Sequence, residues 1–224
     1  MGGPVKKEYL TLSNDPDGRV SVLSQSLYAF LSLNEFPLVV ITVPSAGEGD
    51  ARACLAEDAR IARLLDSGTA KLLFAEGGPT RQASVLLGLE AAVNALPERR
   101  ARDGDIVLIH DAARPYVSAS VIEGVLAKAK ERGAAVPTIP PVDTEKEIDG
   151  LGRITRHLDR SAIVAVQTPQ GFALGPLVDA HRKAALDGRA YTDDTEIWGR
   201  YAGEVWTCPG DRENRKITYP GDIR

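Results

Sequence analysis

Cysteine is scarce in this chain: Cys54 and Cys208 are the only two, far apart and without C-x-x-C spacing. A disulfide framework and a zinc site of the usual kind are therefore disfavoured, and a reducing cytosol is the simplest home. No apolar run approaches the roughly 18 residues that a membrane span needs, and Met1-Gly2-Gly3-Pro4 does not begin a secretory signal. A soluble, cytoplasmic protein is expected. Basic blocks are missing too, since 27 Lys and Arg face 31 Asp and Glu for a formal charge of −4. That excludes wrapping nucleic acid through a broad positive face. There is no nucleophile elbow and no H-E-x-x-H, and His110, His157 and His181 show no ligand spacing, so hydrolase readings have little support. What is present is 224 residues, 43% hydrophobic, enough to bury a core without disulfide or metal staples.

Extended apolar runs at Pro37 to Pro44, Ala70 to Ala75, Asp105 to His110 and Ala134 to Pro140 read as strands. Helical patterns fit between them. Leu86, Leu89, Val93 and Leu96 recur on one face from Arg81 to Leu96, with Pro97 as a stop. Ser120 with Glu123 reads as a capping box, and Gly133 closes that helix. This alternation predicts an α/β fold with a mostly parallel sheet covered on both faces, and ligands at the carboxyl ends of its strands. Between Pro141 and Arg160 the pattern breaks. Asp149-Gly150 lies between Thr144 to Ile148 and Arg153 to Leu158, a strong hairpin signal. A lone ribbon is marginal in water, so this one reads as a projecting arm that meets a second subunit, with a surface hairpin lying on its own domain as the alternative.

Chemistry concentrates after the third strand, at His110-Asp111-Ala112-Ala113-Arg114-Pro115. Asp111 could hold a divalent metal or a sugar hydroxyl, and Arg114 could fork onto phosphate oxygens; a plain capped turn with a surface ion pair is the alternative. Glu76-Gly77-Gly78-Pro79-Thr80-Arg81 leads into Gln82-Ala83-Ser84, where paired glycines admit a ligand close to the backbone and Arg81 and Ser84 could read a base or phosphate. Late in the chain stand Gln167-Thr168-Pro169-Gln170, Thr192-Asp193-Asp194 and Asn214-Arg215-Lys216-Ile217-Thr218, whose Thr hydroxyls and Lys suit a phosphorylated polyol. Thr192 also reads as a helix cap. Lys6-Lys7 supplies two ammonium groups near the start. Ser45 to Arg52 looks like a dinucleotide fingerprint, but Arg52 replaces its third glycine and Glu48 and Asp50 would repel a pyrophosphate. A nicotinamide oxidoreductase is therefore set aside.

Taken together, these segments resemble the 2-C-methyl-D-erythritol 4-phosphate cytidylyltransferase family of the non-mevalonate isoprenoid pathway, in order and approximate spacing over nearly the whole chain. Lys7-Glu8-Tyr9-Leu10, Gly77-Gly78 to Ser84, His110 to Pro115, Pro141 to Thr144, Asp159-Arg160, Thr168 to Gln170, Thr192 to Asp194 and Lys216 to Thr218 carry the likeness. It implies a three-layer, Rossmann-like nucleotidyltransferase domain over residues 1–224, with 141–160 as a dimerisation β-arm, acting on CTP with Mg²⁺ as a homodimer. Lys7 would stabilise the transition state; Gly77, Gly78, Arg81 and Ser84 would line the nucleotide pocket; Asp111 would contact substrate or Mg-nucleotide. Thr168, Thr192 and Lys216 would hold methylerythritol phosphate, completed by Arg114, Thr144 and Arg160, partly from a neighbouring arm. Pro79 stands where other members can have a polar residue. The family opens with a strand and an Ala-Ala-Gly-x-Gly-x-Arg loop around the triphosphate, and Met1 stands where that loop has just finished. Three outcomes are thus distinguished: methylerythritol phosphate transfer, ribitol 5-phosphate transfer, or a catalytically silent dimeric binding module if the polypeptide truly starts at Met1.

Overall fold

The structure is a computed structural model that describes residues 6–13, 15, 19–68, 70–96 and 104–223. Its elements run α1 (Val22–Leu31), β1 (Leu38–Val43), α2 (Glu48–Ala56), α3 (Ala59–Asp66), β2 (Lys71–Glu76), α4 (Arg81–Ala95), β3 (Ile106–Ile109), α5 (Ala119–Arg132), β4 (Ala134–Ile139), β5 (Lys146–Ile148), β6 (Ile154–His157), β7 (Ala165–Val166), β8 (Gln170–Ala173), α6 (Leu174–Leu186), α7 (Asp194–Tyr201) and β9 (Trp206–Pro209). The four expected strands form within a residue or two of their expected bounds, as does the helix from Arg81; its expected stop, Pro97, lies outside the described residues.

Three layers result. Leu23, Leu27 and Leu31 of α1 pack with Leu55 of α2 and Ile61 of α3 against β1 and β2. On the opposite side, Leu89 of α4 packs with Phe172 of β8, Leu174, Leu177 and Val178 of α6 and Trp198 of α7. Val121 and Ile122 of α5 meet Phe30, Phe36 and Leu108 on the first side again.

The described strands do not make the mostly parallel sheet that alternation predicts. Parallel pairing joins β1 to β2 and β4 to β9, whereas β8 runs antiparallel to both β3 and β4, and β7 antiparallel to β4. The cause is the return from the arm: the chain comes back without a helical crossover, so the two strands that follow, β7 and β8, both run antiparallel to β4, and β8 fills the place between β3 and β4. Gln170-Gly171-Phe172-Ala173 carries little strand signal, yet it is the middle of this sheet. Gly171 is required there, because a Cβ would lie 2.8 Å from Val125 and 2.9 Å from Leu108.

Two caps differ from the expected ones. Ser118, not Ser120, precedes α5, without a side-chain cap bond, and Asp193, not Thr192, caps α7 by accepting from Glu196 N. Gly133 does close α5, with φ +84° and its N–H on Ala129 O.

The β1–β2 pair and the five-stranded sheet of β3, β8, β4, β7 and β9 are not bonded to each other. Between β1 and β3 lies a slot of about 370 Å³, walled by Val39 to Thr42 and Val107 to Ile109, with α1 below and α4 above. β5 and β6 form the expected ribbon, with a register shift at Glu147/Ile148. Its surroundings are apolar and open: Ile148, Leu151, Ile154 and Val164 are each more than half exposed.

Candidate functional site

β3 ends in half-buried β structure and hands the chain to a turn at Asp111, where segments distant in sequence converge. Asp111 N donates to Thr168 Oγ1 at 3.1 Å, Thr168 Oγ1 lies 3.0 Å from His110 Nδ1, and His110 Nε2 lies 3.1 Å from Arg114 O. A carbonyl only accepts, so His110 carries its proton on Nε2 and Nδ1 is the acceptor. Thr168 must then donate to His110 while accepting from Asp111. Its hydroxyl is engaged in both directions and the residue is buried. Thr168 thus holds the Asp111 turn. Asn214, wholly buried, donates to Thr168 O at 2.8 Å, and Ile217 N donates to Ala113 O at 2.7 Å, so the carboxyl-terminal segment is tied to the same turn.

Loss of hydration around His110 pushes its pKa down to about 4, against 6.5 for the free side chain, although one edge opens to the slot. The unfolded chain therefore binds a proton that the fold refuses between those values. Stability from this site is intact above pH 6.5 and falls as the pH drops toward 4. The loss expected is roughly 2–3 kcal/mol, read as a drop in urea midpoint that His110→Gln reduces; an equal acid loss in that variant would refute it.

The carboxylate of Asp111 gathers three cations. Lys216 Nζ donates to Oδ2 at 2.8 Å, while Arg81 Nε and Arg114 Nε lie 3.9 Å away. Burial alone would raise its pKa; Lys216, Arg81 and Arg114 outweigh that and hold it below the usual carboxylate range. Arg114 also donates to Asn214 O at 2.7 Å. Lys7 opens a short 3-10 turn and donates through Nζ to Ile217 O at 3.1 Å, beside Lys216. Arg81, Arg114 and Lys216 thus meet at Asp111, and Lys7 is bonded to the residue that follows Lys216.

Next to them, at the end of β2, a cavity of about 480 Å³ is lined by Gly77, Gly78, Thr80, Arg81 and Ser84 with Thr42 and Pro44 opposite. Gly78 N donates to Ser84 Oγ at 3.1 Å, and Thr80 caps α4 by accepting from Ala83 N at 3.1 Å. A Cβ on Gly78 would stand 2.5 Å from that of Ala83, so only glycine lets the turn close on the helix. Lys6, rather than Lys7, lines this cavity.

The remaining expected residues make contacts of their own. Thr144 and Arg160 lie exposed at the base of the arm, Arg160 Nη2 donating to Pro141 O at 2.7 Å. Thr192 is exposed and bonds to Glu196 Oε2 at 3.0 Å. Sequence reasoning assigns no role to Gln170, which donates to Asp193 at 3.0 Å, or to the fully buried pair Asp194 and His181. No spacing rule could have found His181, because its partner is 13 residues away on another helix. The described residues hold no cluster of three or more His, Cys, Asp or Glu arranged for a metal. One carboxylate, Asp111, lies amid the gathered cations, which suits Mg²⁺ held chiefly by phosphate oxygens and water. No helix among the described residues is long and apolar enough to cross a membrane.

A three-layer α/β domain with cations gathered at strand ends beside a glycine turn is the build of a nucleotidyltransferase. Residues 1–224 match the family model described as "IspD: 2-C-methyl-D-erythritol 4-phosphate cytidylyltransferase", and the chain belongs to that family. It is 40% identical over 224 residues to the bifunctional enzyme IspD/IspF of Bradyrhizobium sp. (strain ORS 278), covering 99% of this chain and 50% of that one. The chain spans about half the length of the curated relatives it matches. The crystal structure of 2-C-methyl-D-erythritol 4-phosphate cytidylyltransferase from Thermus thermophilus superposes with a TM-score of 0.71 at 33% identity, covering 97% of this chain and 90% of that one. A 4-diphosphocytidyl-2C-methyl-D-erythritol synthase from Anaerococcus prevotii DSM 20548, 20% identical with a TM-score of 0.76 over 96% of this chain and 89% of its own, shares the fold.

Proposed function

We propose that this chain transfers a cytidylyl group from CTP to 2-C-methyl-D-erythritol 4-phosphate and releases pyrophosphate. The observation that carries the reading is the gathering of Arg81, Arg114 and Lys216 at Asp111, with Lys7 bonded to the adjoining Ile217 carbonyl, beside the Gly77–Gly78 cavity.

A phosphate monoester has a second pKa of about 6, so the attacking oxygen is already ionised near neutrality. No general base is needed, which agrees with a site whose nearest histidine, His110, is neutral and engaged on both nitrogens. The obstacle is bringing two anions together. Positioning and charge neutralisation by Lys7 and Lys216 answer it, with Gly77, Gly78, Arg81 and Ser84 receiving the nucleotide. Asp111 would hold Mg²⁺ or a substrate hydroxyl, and the ion when bound would neutralise phosphate charge. Arg114 and Lys216 would grip the polyol phosphate, joined by Thr192 and by Thr144 and Arg160 from a second subunit.

The exposed apolar residues of the arm support a homodimer, since a single chain leaves them in water; sedimentation as a 24.0 kDa monomer at micromolar concentration would oppose it. Two free thiols fit a reducing cytosol.

The decisive assay offers CTP and a panel of polyol phosphates and reads pyrophosphate release. Methylerythritol phosphate is expected to react fastest. Preference for ribitol 5-phosphate would change the substrate, and no release from any acceptor would leave a binding module.

A further inference from the structure

Arg81 is a cation of the cluster whose direction is set from behind. Its Nη2 donates to Asp194 Oδ2 at 2.7 Å, while its Nε stands 3.9 Å from Asp111. Asp194 is fully buried at the first turn of α7, and its other oxygen lies 3.1 Å from Nε2 of His181, fully buried in α6. A carboxylate without water is costly unless compensated. Here burial is outweighed by His181 and Arg81, which keep Asp194 ionised. The guanidinium itself remains partly open and borders the Gly77–Gly78 cavity. A fork fixed at one nitrogen and open at the others is an oriented anion receptor whose ordering cost is met before binding.

We propose that Asp194, seated against His181, is a positioning residue that aims Arg81 at the nucleotide phosphates. This rests on the reading of the adjoining cavity as the nucleotide site. A helix staple without function would use the same contacts, so the test must separate the two.

CTP with MgCl₂ is titrated calorimetrically into the full chain and into Asp194→Asn, Arg81→Ala and the double variant. Asp194→Asn is expected to weaken CTP binding about tenfold, with the KM for the polyol phosphate within about twofold, and to add nothing once Arg81 is alanine. His181→Gln, which keeps a polar side chain beside Asp194 and guards against a variant that fails to fold, is expected to stay within about threefold of the parent. Unchanged CTP affinity in Asp194→Asn, or an equal loss on the Arg81→Ala background, would overturn the proposal. A second readout needs no ligand. The Arg81 Nη–H signals in ¹⁵N NMR should be resolved in the parent, where Nη2 is held by Asp194, and averaged by rotation and exchange in Asp194→Asn; resolved signals in that variant would overturn the anchoring itself. If the parent binds no CTP, the nucleotide reading fails, and the NMR result still decides whether Asp194 holds Arg81.

Discussion

Lys7→Ala is expected to lower turnover about 100-fold, equivalent to about 3 kcal/mol of transition-state stabilisation, with only modest change in the KM for either substrate. The ammonium group rests at 3.1 Å on the carbonyl oxygen of Ile217, a neutral acceptor beside Lys216. That contact leaves its charge available to follow negative charge as it develops at phosphorus. Removing it costs one neutral-acceptor hydrogen bond in the resting fold, worth about 1 kcal/mol, so melting temperature should hardly move. Steady-state kinetics beside a thermal scan check both halves. Turnover equal to that of the parent would show that Lys7 plays no part in the chemistry.

Phe172→Ala should be the most damaging single change to stability, costing about 3–5 kcal/mol and lowering the melting temperature by roughly 10 °C. Phe172 is fully buried in β8, with its ring centroid 5.4 Å from that of Trp198 and its neighbours drawn from α4 and α6. β8 also carries Gln170, whose amide reaches Asp193 at the cap of α7. A collapsed Phe172 site should therefore reduce activity as well as stability. Calorimetry would settle the first effect; a loss below about 1 kcal/mol would mean that the layers close over the gap.

Strands β1 to β4 and helix α4 can be read from residues alone because each is a periodic or apolar segment with a marked boundary, such as Thr80 before α4 or Gly133 after α5. The Asp149-Gly150 ribbon is equally legible. β8 is not, since Gln170 and Gly171 look like loop residues and become strand only by filling the space between β3 and β4. The same limit governs the site. Asp111 and the glycine turn announce themselves at strand ends, and the family likeness names Lys7 and Lys216. The engagement of the Thr168 hydroxyl by His110, and the seat of Asp194 behind Arg81, depend on contacts spanning 58 and 113 residues that no local pattern encodes.

The division between the β1–β2 pair and the larger sheet has a bearing on how the molecule breathes and associates. Among the described residues, backbone amides facing the slot on β1 and β3 have no ladder partner across it, so they should exchange with deuterium well before those of β4 and β8. An extended segment seated in the slot would pair with both margins and slow that exchange.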